Sequence, residues 1–279
     1  MSLTPLLLCT DLDRTLIPNG VEPESPGSRE RFGRFVAHPE VTLAYVTGRH
    51  QELVEAAIAE YALPRPDYVI GDVGTSLYRV TDGAWEPVRD WQTSIGADWA
   101  GTDHDGLAAL FQGIPGLRPQ EREKQGPLKL SYYADAHDDP EALLALMRER
   151  LAGAGARARL IWSIDEAAGE GLLDVLPAGA SKFHAIEFLM ALTGHDCETT
   201  LFAGDSGNDL EVLASPIPSV LVANGHPAVR AEARRLAAAG GYGDRLYEAA
   251  GGWGDMNGNY SAGILEGVAH FRPDLLPML

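Results

Sequence analysis

Leu6–Leu16, reading LLLCTDLDRTL, is the stretch that decides how the rest of this chain is read. Its opening residues form a continuous apolar run of the kind buried on both faces of a parallel sheet. Two aspartates follow, one residue apart. Residues i and i+2 of an extended chain point the same way, so Asp11 and Asp13 are expected to project together from a strand's carboxyl end, where open α/β sheets place their ligands. Two crowded carboxylates repel each other. A divalent cation beside Asp11 would offset that repulsion and keep it ionised as a nucleophile, while Asp13, protonated, could serve as a general acid. The same letters also suit an Asp-rich turn with Thr15 capping the next segment. The partners found elsewhere in the chain decide between the two readings.

Three such partners follow in order. Val41–Thr47, VTLAYVT, is a second β-rich run ending in Thr47, Gly48 and Arg49, ahead of a helical pattern over 51–61. A hydroxyl and backbone amides at that turn could hold a phosphoryl oxygen. Arg49 could add positive charge there, although pairing with Glu52 is the expected role. Leu172–Leu176 reads as a strand and is followed by Lys182, a compact positive charge at a strand-to-helix loop. Thr200–Ala203 is a strand that runs into Gly204-Asp205-Ser206-Gly207-Asn208-Asp209. The two carboxylates there are hard oxygen ligands suited to magnesium.

Together these four segments resemble the haloacid dehalogenase-like phosphatase superfamily, in that superfamily's motif order, from about residue 6 to residue 222. The resemblance implies an α/β fold, a doubly wound and mostly parallel Rossmann-like sheet with an inserted α+β cap. It also implies roles. Asp11 would attack phosphorus and Asp13 protonate the leaving group; Thr47, Gly48, Lys182 and Asn208 would bind the phosphate. Mg2+ would be held by Asp11, the main-chain carbonyl of Asp13, Asp205 and Asp209, the last either directly or by organising the others. The tail Gly258–Phe271, GNYSAGILEGVAHF, further resembles the C-terminal segment of sucrose-phosphate phosphatases, as do Lys129–Tyr133 and Asp174–Pro177. Two departures stand out: Arg14 where that family has a small or amide residue, and Ser181 where it has glycine. The substrate implied is sucrose 6-phosphate. Mannosylfructose phosphate and mannosyl-3-phosphoglycerate would call for nearly the same motifs, and a sucrose-phosphate synthase is the implied functional partner.

The expected organisation is a core of residues 1–83 and 168–279 interrupted by a cap over 84–167. Within 84–167 lie Trp85, Trp91 and Trp99, a Gly/Pro-rich patch, a β run at 129–133 and a helical pattern over 140–151, an order that fits a small α+β unit. Gln125, Lys129 and Ser131 are its candidate sugar contacts, against the alternative of a solvated polar cluster. Tyr247 and the Gly251–Gly258 stretch are candidates for the mouth of the site.

Composition narrows the function classes. With 40 acidic against 22 basic residues and a net charge of −18, nucleic acid and anionic membranes are excluded as expected partners. An anionic phosphate ester then requires local positive charge against an unfavourable overall field. No apolar stretch approaches the roughly 20 residues of a membrane span, and no basic region or cleavage site precedes the first strand, so the expected location is the cytoplasm. Cys9 and Cys197 are the only cysteines, too few for a disulfide framework. Cys9 is expected to be a small core residue. The competing reading from another class is a catalytically silent sugar-phosphate-binding module that regulates a glycosyltransferase. The presence of Asp11, Asp13, Lys182 and Asp205 in one chain argues against it, because binding alone needs no nucleophile paired with an acid.

Overall fold

The computed structural model describes residues 4–135, 140–165 and 168–279. Twelve strands are present among them: β1 Leu6–Thr10, β2 Val41–Val46, β3 Tyr68–Gly71, β4 Ser76–Thr81, β5 Ala84–Pro87, β6 Arg118–Pro119, β7 Leu130–Asp135, β8 Ala158–Asp165, β9 Glu170–Pro177, β10 Thr200–Gly204, β11 Ser219–Leu221 and β12 Leu246–Glu248. They form two sheets, and the chain divides into two units, residues 1–87 with 182–279 and residues 88–181.

The first unit holds an eight-stranded sheet in the order β12-β11-β10-β1-β2-β3-β4-β5. Neighbours from β12 through β3 are parallel, and β4 and β5 extend the sheet antiparallel as a hairpin. All five residues of β1 are buried, which is why this strand is uninterruptedly apolar: a central parallel strand has no solvent face. Cys9 sits fully buried in it, as a small core side chain, and burial pushes its thiol well above the usual range. The strand order reverses at β1, whose neighbours are β2 on one side and β10 on the other. Such a reversal point opens a crevice at the carboxyl ends of the strands. Residues 11, 47 and 205 follow the three central strands at that end, so the topology alone gathers them.

The Ser261–Phe271 helix seals one face of this sheet, buried over Ser261–Val268. Its close approach depends on two glycines. A Cβ on Gly267 would collide with the Val220 side chain, and one on Gly263 with the carbonyl of Gly258. The Gly-rich tail is therefore a packing surface against β11 and the loop after it. Tyr247, expected at the mouth of the site, instead donates its hydroxyl to Glu266 at 2.9 Å and stacks on His270 with ring centroids 4.2 Å apart.

The second unit contains a four-stranded antiparallel sheet, β6-β7-β9-β8, with helices at Arg89–Gly96, His104–Leu110 and Pro140–Gly153. Its core is built from Trp99, Leu107, Phe111, Leu130, Tyr132, Met147, Leu173 and Val175. Asp98 is buried and ties the segment together, taking the Arg157 guanidinium on one oxygen and the Gly179 N–H at 2.6 Å on the other. The division of the chain differs from the expected one at both ends. β5 belongs to the large sheet and β9 to the small one, and the expected boundary after Ala167 lies outside the described residues. Leu172–Leu176 looked like a core strand because it precedes the lysine segment; its ladder partners are β7 and β8. A short run of apolar β-formers such as LLDVL specifies a strand without saying in which sheet it pairs.

Candidate active site

Lys182 is the centre of the cluster. It opens the Lys182–Thr193 helix, is 2% exposed, and points its ammonium at three side chains. Nζ lies 3.2 Å from Asp11 Oδ2, 2.7 Å from Asp209 Oδ1 and 3.2 Å from Asn208 Oδ1. Burial alone would lower the Lys182 pKa, but the charges of Asp11 and Asp209 outweigh it and hold the amine above its usual range. The residue is a fixed cation at the end of the sheet.

Asp11 follows β1 directly. Its backbone N–H still donates to Ala203 across the ladder at 2.9 Å, and its Oδ1 accepts the Leu12 N–H at 2.8 Å. Asp205 follows β10 in the same way and accepts the Thr15 hydroxyl at 3.2 Å. Asp209 is fully buried and turns back on the strand that precedes it, where its Oδ2 accepts the N–H groups of Asp205 and Ser206 at 3.1 and 3.0 Å. Only glycine allows this return: a Cβ on Gly204 would lie 2.6 Å from that carboxylate. Asp209 thereby fixes both Lys182 and the backbone that carries Asp205.

Three buried carboxylates facing one lysine leave negative charge uncompensated. Burial and the neighbouring Asp209 raise Asp205 to about 6, and burial with Asp209 and Asp205 raises Asp11 to about 7 against the lowering effect of Lys182. Among the described residues, ligand oxygens of Asp11, Asp205 and Asp209 lie within 4.8 Å of one another. This all-oxygen, charge-deficient donor set fits a hard divalent cation such as Mg2+. Asp209 is the most heavily engaged of the three, with Lys182 on one oxygen and the Asp205 and Ser206 N–H groups and the Ser206 hydroxyl on the other.

Asp13 takes a different set of partners. Its carboxylate is gripped by Arg49, with Nη2 2.6 Å from Oδ1 and Nε 2.8 Å from Oδ2, and accepts from Asn19 Nδ2 at 2.7 Å. Burial would raise its pKa, but the hydrogen bonds and charge of Arg49 outweigh that and hold it below the usual carboxylate range. The expected pairing of Arg49 with Glu52 is not the one formed: His50 takes Glu52 at 2.7 Å, and Arg49 reaches inward. Glu52 is the nearest acidic residue along the chain, but Arg49 precedes the Gln51–Glu60 helix that carries it, and its guanidinium lies against Asp13. Thr47 is fully buried after β2 and accepts the Arg49 N–H at 3.2 Å; Gly48 beside it is exposed.

Of the expected second-unit contacts, Ser131 is 1% exposed and donates its hydroxyl to Asp174 at 2.5 Å, while the Gln125 amide bonds the backbone of Gln120 and Ser131. Both residues hold β7 in place. Lys129 lies 4.0 Å from Asp174. The residues that sequence reasoning missed are Asn19, which positions Asp13, and Asn224, whose amide holds the Arg14 carbonyl. An isolated asparagine carries no spacing signal. Arg14 itself lies 3.4 Å from Asp205 and 3.6 Å from Glu22, at the edge of the acidic cluster.

Asp11 beside Lys182, the Asp11–Asp205–Asp209 cluster at the strand-order reversal, and Asp13 held by Arg49 bring together the motif residues on which the resemblance to haloacid dehalogenase-like phosphatases rests. Residues 4–272 match the family described as sucrose-6F-phosphate phosphohydrolase, and the chain belongs to that family. It is 53% identical over 270 residues to a Nitrosococcus oceani protein described only as a HAD-like hydrolase, covering 96% of this chain and 72% of the other. To the mannosylfructose-phosphate phosphatase of Agrobacterium fabrum it is 30% identical over 222 residues, covering 79% of this chain and 84% of that enzyme. The solved structure of sucrose-phosphatase from Synechocystis, in complex with sucrose and phosphate, superposes with a TM-score of 0.72 at 27% identity, covering 96% and 98% of the two chains. The chain spans about half the length of the plant sucrose-phosphatases it matches. No helix among the described residues is long and apolar enough to cross a membrane.

Proposed function

We propose that this protein hydrolyses the phosphate monoester of sucrose 6-phosphate, releasing sucrose and inorganic phosphate through an aspartyl-phosphate on Asp11. The observation that carries the reading is the Lys182 ammonium lodged between Asp11 and Asp209, with Asp205 alongside. Bound there, Mg2+ would supply charge neutralisation for an anionic substrate approaching an anionic nucleophile. Asp11 and Asp205 would hold it, with the Asp13 main-chain carbonyl.

The chain's own groups account for the rest. Lys182 and the Lys182–Thr193 helix N-terminus present positive charge to the phosphoryl oxygens, and Thr47, Gly48 and Asn208 add donors. Asp13 takes up a proton from solvent as the substrate binds; Asp11 then attacks phosphorus, and the ester oxygen leaves with that proton. Asp13, again ionised and steadied by Arg49, then takes a proton from the water that attacks the aspartyl-phosphate, and phosphate departs. The 88–181 unit is assigned the selection of the sugar, and a glycosyltransferase that makes the sugar phosphate is the implied supplier of substrate.

The match to the family and to a solved sucrose-phosphatase supports the sucrose reading. The 30% identical mannosylfructose-phosphate phosphatase defines the second reading, a phosphatase of another glycosyl phosphate. Phosphate release in Mg2+ from sucrose 6-phosphate, mannosylfructose phosphate, mannosyl-3-phosphoglycerate and glucose 6-phosphate separates them. A clear preference in kcat/KM for sucrose 6-phosphate is expected. Preference for another member replaces the sugar and keeps the chemistry; binding without release, by wild type, favours a regulatory module.

A further inference from the structure

Arg14, directly after Asp13, holds a left-handed backbone conformation with φ of 57°. Such a conformation is costly for a residue with a Cβ and persists only where its surroundings over-determine it. Two asparagines do so here. The Arg14 N–H donates to Asn19 Oδ1 at 2.8 Å, and the Arg14 carbonyl accepts from Asn224 Nδ2 at 2.5 Å. Asn19 in turn donates to the Asp13 carboxylate. The backbone next to the second aspartate is thus clamped at both its polar groups.

Asn224 reaches this loop from 210 residues away, out of the turn after β11, and is 5% exposed. Its other end is also used. Oδ1 accepts the backbone N–H of Tyr260 at 2.9 Å. A backbone carbonyl faces one end of the amide and a backbone N–H the other, so the contacts fix which end is nitrogen. Tyr260 is itself at a positive φ of 52°, is fully buried, and donates its hydroxyl to the carbonyl of Glu22 at 3.1 Å. One buried side chain therefore joins two unfavourable backbone conformations, one beside Asp13 and one at the head of the Ser261–Phe271 helix.

We propose that Asn224 is a positioning residue for Asp13, and that the Gly258–Phe271 segment contributes to catalysis by holding Asn224 in place. The inference rests on the acid role of Asp13 given above. It is specific, because a misplaced acid affects leaving groups unequally. A sugar alkoxide must be protonated as it departs, whereas p-nitrophenolate leaves without help. Loss of folded protein alone would reduce both reactions by the same factor.

The test compares wild type, Asn224→Asp, Asn224→Ala and Asp13→Asn in Mg2+, with kcat/KM, which reports the leaving-group step without the shared hydrolysis of the aspartyl-phosphate, measured on sucrose 6-phosphate and on p-nitrophenyl phosphate, alongside thermal unfolding. Asn224→Asp keeps the acceptor for Tyr260 and sets an oxygen against the Arg14 carbonyl; it carries the comparison if Asn224→Ala does not fold. The expected result is a loss on the sugar phosphate about tenfold or more greater than on the aryl phosphate, in the same direction as Asp13→Asn. Equal losses on the two substrates, beside an Asp13→Asn variant that does discriminate, overturn the inference alone. A wild type that releases phosphate from neither substrate, or an Asp13→Asn variant without discrimination, overturns the reading of Asp13 and the inference with it.

Discussion

Arg49 grips Asp13 with two prongs of its guanidinium, Nη2 on one carboxylate oxygen at 2.6 Å and Nε on the other at 2.8 Å. A planar fork matched to a carboxylate fixes orientation as well as charge. Asp13 is therefore held ionised and aimed while Asp11, deeper and beside Lys182, sits in a site that favours protonation until a cation is bound. Two carboxylates one residue apart acquire different tendencies because their surroundings push them in opposite directions.

Replacing Arg49 by alanine removes the group that lowers the Asp13 pKa. Asp13 then keeps its proton to higher pH, so the alkaline limb of kcat/KM, which reports the general acid, moves to higher pH, and kcat is expected to fall about 10- to 100-fold because the acid is no longer aimed. Arg49→Lys keeps the charge without the fork and should fall between. A pH–rate profile measured for the three proteins decides the matter, and an unchanged alkaline limb would leave the pair with no part in proton transfer.

Asp11→Asn is nearly isosteric and removes the nucleophile. Phosphate release should drop by about 10⁴-fold or more, with the far-ultraviolet circular dichroism spectrum unchanged. Residual turnover near the wild-type level would move the nucleophile elsewhere.

Lys182→Met leaves Asp11 and Asp209 buried without their cation. The expected cost is about 3–5 kcal/mol in urea-induced unfolding. A double variant that adds Asp209→Asn should recover part of that loss, since it removes one of the orphaned charges. Equal stability of single and double variants would mean that Asp209 does not depend on Lys182.

The metal-free protein should lose stability as pH rises. Asp11 at about 7 and Asp205 at about 6 both bind protons in the folded state at pH values where an unfolded aspartate, near 3.8, has released them. Stability from this source is complete below pH 4 and is lost through pH 6 to 7. Mg2+ competes with those protons, so its thermal shift should be small at pH 5 and reach roughly 5 °C or more at pH 8 with the cation about 100-fold above Kd. A shift independent of pH would show that these carboxylates do not hold the ion.

Gly267→Ala tests the packing of the tail. The added methyl meets the Val220 side chain, and the expected cost is about 1–3 kcal/mol. Chemical denaturation measures it directly; a neutral result would mean that the Ser261–Phe271 helix can shift off β11.

The parallel core and most of the acidic cluster were legible beforehand. Buried central strands must be apolar throughout, and Asp11, Asp205 and Asp209 each sit at a fixed offset from such a run, while Lys182 opens an apolar helical segment. Local sequence could not place what depends on distant partners. Arg49 was assigned to Glu52 by proximity along the chain, β9 to the wrong sheet by its neighbour in sequence, and Ser131 to a sugar although its hydroxyl is taken by Asp174.

The sequence by itself determined which strands are buried, where the carboxylates and the lysine fall relative to their ends, and the family to which the chain belongs. Only the tertiary structure decided that Asp13 faces Arg49, that Asp209 serves Lys182 and the Asp205 backbone, and that Asn224 ties the loop after Asp13 to the tail. Periodicity and spacing are local properties of the chain. A side chain's hydrogen-bond partner is chosen by which surfaces the fold brings together, here across as many as 210 residues.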